Sequence, residues 1–254
     1  MSHTRGSSGR SMRRAVVGAC GLAVGAQVLP AATWLPPVRR TLAPALRAPG
    51  RADHVALTFD DGPDPESTPR FLDLLDRLDV RATFFLVGER VVRAPTVVRE
   101  AAARGHDIQV HGWVHRNQLA RPIGLRAQLR DTRDLLAELT GCEPRWYRPP
   151  YGVLSGEGVL ACRRVGLRPV LWSAWARDWY ADRDSADVYD TVRPGLRGGA
   201  TILLHDTDAY AQPGSWRATL GAVEPMVRTC RDRGLEVGTL SDHGFDERRS
   251  GVGS

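Results

Sequence analysis

The sequence contains no lysine, one asparagine (Asn117) and only three isoleucines in 254 residues. Its 35 basic side chains are therefore all arginine. The pattern reads as GC-rich codon bias, yet it has chemical consequences. Without lysine there is no Schiff-base or pyridoxal anchor and no P-loop. Acid is missing from one region. Residues 1–51 hold eight arginines and no Asp or Glu, whereas residues 52–254 hold 27 arginines against all 29 acids, a balance of −2. The formal charge of +6 thus belongs to the leader. The body lacks the broad basic face that nucleic-acid binding needs, and no nucleic-acid partner is expected.

Cysteine is scarce too. Of four, only Cys142, Cys162 and Cys230 lie in the body, and none forms a CxxC pair. A cysteine zinc site is not expected, and buried thiols are the simpler reading. No GxGxxG follows the first apolar strand, which argues against a dinucleotide site.

What the leader does have is a targeting pattern. Arg5, Arg10, Arg13 and Arg14 precede an apolar stretch from Ala15 to Leu35. Its length falls between a long signal peptide and a membrane span of roughly 20 residues. We expect residues 1–36 to be a signal peptide or an N-terminal membrane anchor. Residues 37–52, rich in Pro, Arg and Ala, read as a linker, and residues 53–242 as one domain with a tail at 243–254. The body is then expected outside the cytoplasm, as a monomer touching membrane only through its N-terminal segment.

The body alternates β-rich runs with helical patterns. Strands are expected at His54–Phe59, Ala82–Val87, His106–Val110, Trp146–Arg148, Pro169–Trp172, Thr201–Leu204 and Glu236–Gly238. Helices are expected at Ser67–Leu78, Thr96–Arg104, Leu125–Leu139, Glu157–Val165 and Trp216–Arg233. Gly105, Gly141, Gly166 and Gly234 sit where helices should stop. Strands alternating with helices imply an α/β fold with a parallel sheet, and this length suits a closed or nearly closed β/α barrel.

The unusual polar residues fall at strand ends. Asp60 and Asp61 follow the first strand, and His111 and His115 the third. Arg148 ends the fourth, and Asp178 lies shortly past the fifth. His205 and Asp206 follow the sixth. The C-terminal ends of parallel strands are where β/α barrels build active sites. Asp61, His111 and His115 are a plausible metal set that leaves coordination positions open. The two histidines fit either one helix face or a loop broken at Gly112. Adjacent aspartates invite a division of roles, one holding a metal and the other taking a proton from the attacking water. Read alone, Asp60-Asp61-Gly62-Pro63 is equally a turn. Arg148 is a candidate cation beside these carboxylates, His205 a candidate general acid, and Asp178 a group that orients Arg148 or His205. Trp146, Trp172, Trp175, Trp179 and Trp216 are candidates for either core packing or stacking on sugars.

Taken together, Thr58-Phe59-Asp60-Asp61-Gly62-Pro63, His111-Gly112-Trp113-Val114-His115, Arg148-Pro149-Pro150-Tyr151-Gly152, Asp178-Trp179 and Leu203-Leu204-His205-Asp206 resemble the ordered motifs of the polysaccharide deacetylases, the NodB-homology domain of carbohydrate esterase family 4. The resemblance spans about His54 to Leu240. It implies a single-domain, distorted (β/α)7 barrel that removes acetyl groups from N-acetylated, or O-acetylated, cell-wall or environmental polysaccharide. It implies Asp60 as base and Asp61, His111 and His115 as ligands of one divalent ion, Zn2+ first with Co2+, Ni2+ or Fe2+ as alternatives. Arg148 holds Asp60, and Asp178 tunes the network around His205, the general acid. The Tyr151 N–H serves the oxyanion, and Trp179 and Leu203 line the acetate pocket. There are two departures. Gly112 stands where the family has Ser or Thr, which removes a hydroxyl that braces the metal loop. Trp175 stands where an Asp is frequent, which reshapes the pocket rim. Two other readings use the same scaffold: a C–N hydrolase of a small amide, or a non-catalytic glycan-binding protein.

Overall fold

The computed structural model describes residues 21–120 and 124–244. Its strands are β1 (His54–Asp60), β2 (Thr83–Leu86), β3 (Asp107–Val110), β4 (Trp146–Tyr147), β5 (Arg168–Pro169), β6 (Ala174–Trp175), β7 (Thr201–His205) and β8 (Glu236–Gly238). All pairings are parallel. The order is β5-β4-β3-β2-β1-β7-β6, with β8 beside the first residues of β1. The helices are α1 (Pro36–Leu42), α2 (Thr68–Arg77), α3 (Gly88–Arg93), α4 (Pro95–Ala103), α5 (Leu125–Thr140), α6 (Gly156–Val165), α7 (Ser185–Val192) and α8 (Trp216–Asp232). This is the single-domain α/β barrel expected, its parallel sheet curled around a filled interior.

Alternation along β1 separates two cores. Val55, Leu57 and Phe59 face the helices, while Ala56 faces the barrel interior with Phe85, Trp146 and Val170. Successive strand residues point to opposite faces, so one strand serves both layers. Phe59 stacks on Phe84 at 5.2 Å and meets Phe71 of α2 edge-on at 5.2 Å. Truncating such a buried ring costs about 3–5 kcal/mol. Gly141 and Gly166 stop α5 and α6 with φ of 72° and 74°, the left-handed region that a Cβ disfavours. Helices α1, α3 and α7 fall outside the expected set. The last is announced by a reciprocal capping box between Asp184 and Asp187.

Of the expected strand Pro169–Trp172 only Pro169 is in a strand, β5; residues 170–172 are irregular, and β6 begins beyond them at Ala174. Val170 N–H donates to Tyr147 on one side, and Ser173 N–H donates to Thr201 on the other. Between them Leu171 N–H donates to the carbonyl of Leu46 at 2.6 Å. The run crosses the seam of the curled sheet, so its donors change partners within four residues.

That seam contact comes from the stretch read as a linker, residues 37–52. The stretch packs on the barrel: Arg39 and Ala48 are buried, and the Ala48 carbonyl accepts from Thr201 Oγ1 at 2.9 Å. Ahead of it, residues 21–28 are helical, and Gln27 Oε1 accepts from Glu157 N at the start of α6. Among the described residues no helix is long and apolar enough to cross a membrane. The Arg-rich start of the leader, residues 1–20, and the tail from 245 lie outside the described residues. His243, at the start of the expected tail, is fully buried against His54, with Nδ1 atoms 2.8 Å apart. Cys142, Cys162 and Cys230 are free thiols, the last two buried.

Candidate active site

The loops after β1, β3, β4 and β7 converge at one end of the barrel. Asp60 is the last residue of β1, paired in register with His205 of β7. Asp61 follows in a left-handed turn with φ 80°, a conformation Asp tolerates better than most residues. Gly62 is needed there, because a Cβ would come within 2.7 Å of the Asp206 carboxylate. Asp206 accepts from Thr68 Oγ1, and burial pushes its carboxyl up to about 7.

His111 and His115 lie on a loop, not a helix. The first amides of α3 hold it, Gly88 N donating to Gly112 O and Glu89 N to Trp113 O, both at 2.9 Å. His111 Nδ1 lies 2.8 Å from the Arg148 carbonyl. A carbonyl only accepts, so Nδ1 carries the proton and Nε2 offers a lone pair. His111 Nε2 and His115 Nε2 stand 3.1 and 3.2 Å from the same oxygen, Asp61 Oδ1. That oxygen is buried and has no hydrogen bond of proper geometry. The three ligand atoms lie within 4.8 Å of one another. The His111 lone pair aimed at an oxygen without a hydrogen bond, with His115 Nε2 beside it, suits a positive centre among them. Zinc bonds of ~2.0–2.1 Å in a tetrahedron set ligand atoms roughly 3.3 Å apart, so the donors fit a small divalent ion. Burial pushes the Asp61 carboxyl up, but the two imidazoles and the His205 charge outweigh it and hold it well below the usual range.

Gly112 has φ 98°, which a side chain there would strain. No side-chain hydroxyl is present at that position, and His115 Nδ1 has no hydrogen-bond partner. The ring is braced by aromatics instead. Tyr210 stacks on it at 4.2 Å, and Tyr151 meets it edge-on at 4.5 Å.

Two further pairs stand behind the metal set. Arg148 is fully buried and donates from Nη1 to Asp60 Oδ1 and Thr58 Oγ1, both at 2.7 Å, and from Nη2 to the Leu171 carbonyl at 3.0 Å. Burial pulls this guanidinium down from its ordinary value, and the Asp60 charge opposes that. On the other side Asp178, also buried, accepts from His205 Nδ1 and from His205 N at 2.8 Å each, and from Thr219 Oγ1 at 2.9 Å. Of the two partners open to Asp178, it takes His205. Burial pushes the imidazole down, but Asp178 first, then Asp61 and Asp60, raise it to about 10. His205 Nε2 is left pointing toward Asp61 Oδ2 at 3.9 Å.

These groups open into a cavity of about 310 Å³. Asp60, Asp61, His111, His115 and His205 form its polar floor; Tyr151, Trp179 and Leu203 are in its walls. All ten residues singled out in the sequence therefore meet at one place, Arg148 and Asp178 from behind. Of the five indoles, Trp172, Trp175 and Trp179 line the cavity, while Trp146 and Trp216 are buried in the cores. Sequence reasoning missed Tyr210, Trp34 and Thr219. The first two are aromatics on irregular segments with no motif around them; Thr219 is one helical threonine among many. A larger cavity, about 820 Å³, opens between Arg51, Arg81, Arg104 and Arg231. The cluster that could hold a metal ion, Asp61, His111 and His115, lines the smaller cavity.

The polysaccharide deacetylase family model matches residues 47–170. The peptidoglycan-N-acetylglucosamine deacetylase of Bacillus cereus is 34% identical over 199 residues, covering 77% of this chain and 70% of that protein. The chain belongs to the polysaccharide deacetylase family. The deacetylase PdaC of Bacillus subtilis, which acts on peptidoglycan N-acetylmuramic acid, is 31% identical over 74% of this chain. The chain spans only 38% of PdaC's length. Among solved structures, a family 4 acetyl xylan esterase from Clostridium thermocellum, with a cobalt ion, superposes with a TM-score of 0.68 at 32% identity, covering 77% of this chain and 91% of that one. Such likeness places the curled barrel within the family.

Proposed function

We propose that the chain is a metal-dependent deacetylase that hydrolyses the N-acetyl groups of cell-wall glycan. The observation that carries this is the opposition of two held groups across one metal floor: Asp60 clamped by Arg148, and His205 clamped by Asp178. The names of the relatives, which act on peptidoglycan sugars and on acetyl xylan, support the substrate class.

Asp61, His111 and His115 would hold the ion. When bound, it supplies Lewis-acid charge beside the acetyl carbonyl. Asp60 takes the proton from the attacking water as the oxygen adds to the carbonyl carbon. The Arg148 guanidinium keeps Asp60 ionised and aimed. The Tyr151 N–H, in a turn with φ 58°, is assigned to the developing oxyanion. His205 Nε2 gives its proton to the nitrogen as the C–N bond breaks, releasing acetate and a free amine. Asp178 keeps that proton on His205 until the nitrogen takes it, and a divalent ion held at Asp61 would lower the imidazole's proton affinity. Leu203 and Trp179 enclose the methyl group. Residues 1–20, the Arg-rich start of the leader, are read as the export or anchoring element, whereas residues 21–36, seated in part against the barrel, stay with the body.

The test is acetate release from peptidoglycan, N-acetylglucosamine oligomers and acetyl xylan, with and without chelator, across added Zn2+, Co2+ and Ni2+. We expect chelator-sensitive release from an N-acetylated glycan. No release from any acetylated glycan, amide or ester under any metal would overturn the reading.

A further inference from the structure

One wall of the cavity does not come from the barrel. Trp34 ends the 3-10 turn Leu29–Trp34 and lines the cavity beside Trp172, Trp175 and Trp179. It lies ahead of residues 47–170, the span matched by the family model. Its indole remains 44% exposed, so the ring is presented at the mouth and not consumed in a core.

The segment carrying it is firmly seated. Thr33 is buried, and its Oγ1 donates to the Pro30 carbonyl at 2.6 Å. Arg39 of α1 is buried and donates from Nη1 to the Thr33 carbonyl at 3.3 Å. Its guanidinium also lies 5.2 Å from the centroid of Trp172, a second wall of the same cavity. Arg39 thus ties the residue before Trp34 to the barrel. Burial pushes its guanidinium down to about 10, and the like charges of Arg47 and Arg148 add to this. A cation kept under such conditions depends on the carbonyl and indole that hold it. Downstream, the Leu46 carbonyl closes the sheet seam at Leu171, so both ends of the segment are fixed to the barrel.

We propose that Trp34 is a specificity-determining residue whose indole is the platform for a sugar ring neighbouring the reacting one, and that Arg39 is its positioning residue. A pyranose presents an apolar C–H face, and an exposed indole at a cavity mouth offers the matching surface. The ligand class is an N-acetylhexosamine oligomer longer than one ring. This rests on the deacetylase reading above and adds which residue selects chain length.

The experiment compares the full metal-loaded chain with Trp34→Ala, Trp34→Phe and Arg39→Met, using N-acetylglucosamine tetramer and monomer. Tetramer binding is also measured by calorimetry in an Asp60→Asn background. Trp34→Ala should raise the tetramer KM and Kd roughly fivefold to tenfold, the scale of one aromatic contact. Its kcat should change less than about twofold, and monomer kcat/KM should fall by less than tetramer kcat/KM. Trp34→Phe should recover most of the loss, and Arg39→Met should raise KM without lowering kcat. Equal tetramer affinity in Trp34→Ala and the unmodified chain overturns the platform alone. A rise in kcat/KM in Trp34→Ala also overturns it and makes the indole an obstruction. An unmodified chain that neither binds the tetramer nor releases acetate overturns the deacetylase reading itself and the platform with it.

Discussion

The Tyr210 ring lies over the His115 imidazole with centroids 4.2 Å apart and planes 16° from parallel. Its hydroxyl donates to Glu89 Oε1 at 2.9 Å. Glu89 sits in the first turn of α3, whose amides also hold the loop carrying His111 and His115. The stack therefore braces the ring of a proposed metal ligand whose Nδ1 has no partner of its own. Groups that orient metal ligands typically contribute 10–100-fold in affinity. Tyr210→Ala should weaken Zn2+ binding by about tenfold in a chelator competition, while Tyr210→Phe, which keeps the stack, should stay near the unmodified value. A Tyr210→Ala protein with unchanged affinity would remove the stack from the account.

Arg148 and Asp60 form a fully buried ion pair at 2.7 Å. Such a pair contributes little net stability, but removing one member strands the other at about 3–5 kcal/mol. Arg148→Met should lower unfolding free energy by that amount in urea titrations. Asp60→Asn should abolish turnover, by on the order of 10³-fold or more, and still bind metal, because the ligand set is untouched. In the double variant no carboxylate charge is stranded, so part of the Arg148→Met loss should return. A coupling below about 0.5 kcal/mol would show two independent residues.

The site was legible in the sequence because each of its parts is short, local and pinned to a strand end. Asp60-Asp61 follows a strand buried along its whole length, and His205 closes another, so pattern alone sets where they emerge. The residues that were not legible act through tertiary contact. Pro169–Trp172 reads as one strand, yet the amides of Val170, Leu171 and Ser173 divide between Tyr147, Leu46 and Thr201 because the run crosses a seam. Arg39 belongs to a Pro-rich stretch without periodicity, and the Thr33 carbonyl and the Trp172 indole, both tertiary partners, give it a burial site. No spacing rule could assign Tyr210 to His115, since their ring contact spans two loops.

The Asp178–His205 contact predicts the shape of the pH–rate profile. Asp178 is the largest influence raising the imidazole. Asp178→Asn removes that charge, so the proton on His205 becomes easier to lose. The limb at which the general acid is deprotonated should move to lower pH, and kcat at neutral pH should fall on the order of 10²-fold. Metal content should not change, because Asp178 does not touch Asp61, His111 or His115 in this arrangement. An unshifted limb would mean that His205 does not supply the proton. Loss of metal together with activity would assign Asp178 to the metal loop.

A different histidine governs stability in acid. His106 is buried, its Nδ1 accepts from Ala82 N at 3.2 Å, and Phe84 meets its ring edge-on at 5.3 Å. Burial pushes its imidazole down from 6.5 to about 4. Above the unfolded value both states are neutral, and the full stability is present. Between about 6.5 and 4 the unfolded chain binds a proton that the folded one refuses, so stability falls with pH, and below about 4 both are protonated and the loss levels off. The span corresponds to about 3 kcal/mol at most. His106→Leu should cost about 1–3 kcal/mol at pH 7, because Ala82 N–H loses its acceptor. The same variant should flatten the fall between pH 6.5 and 4 in urea titrations. A slope as steep as that of the unmodified protein would place the acid sensitivity elsewhere, with the buried His54–His243 pair the next to substitute.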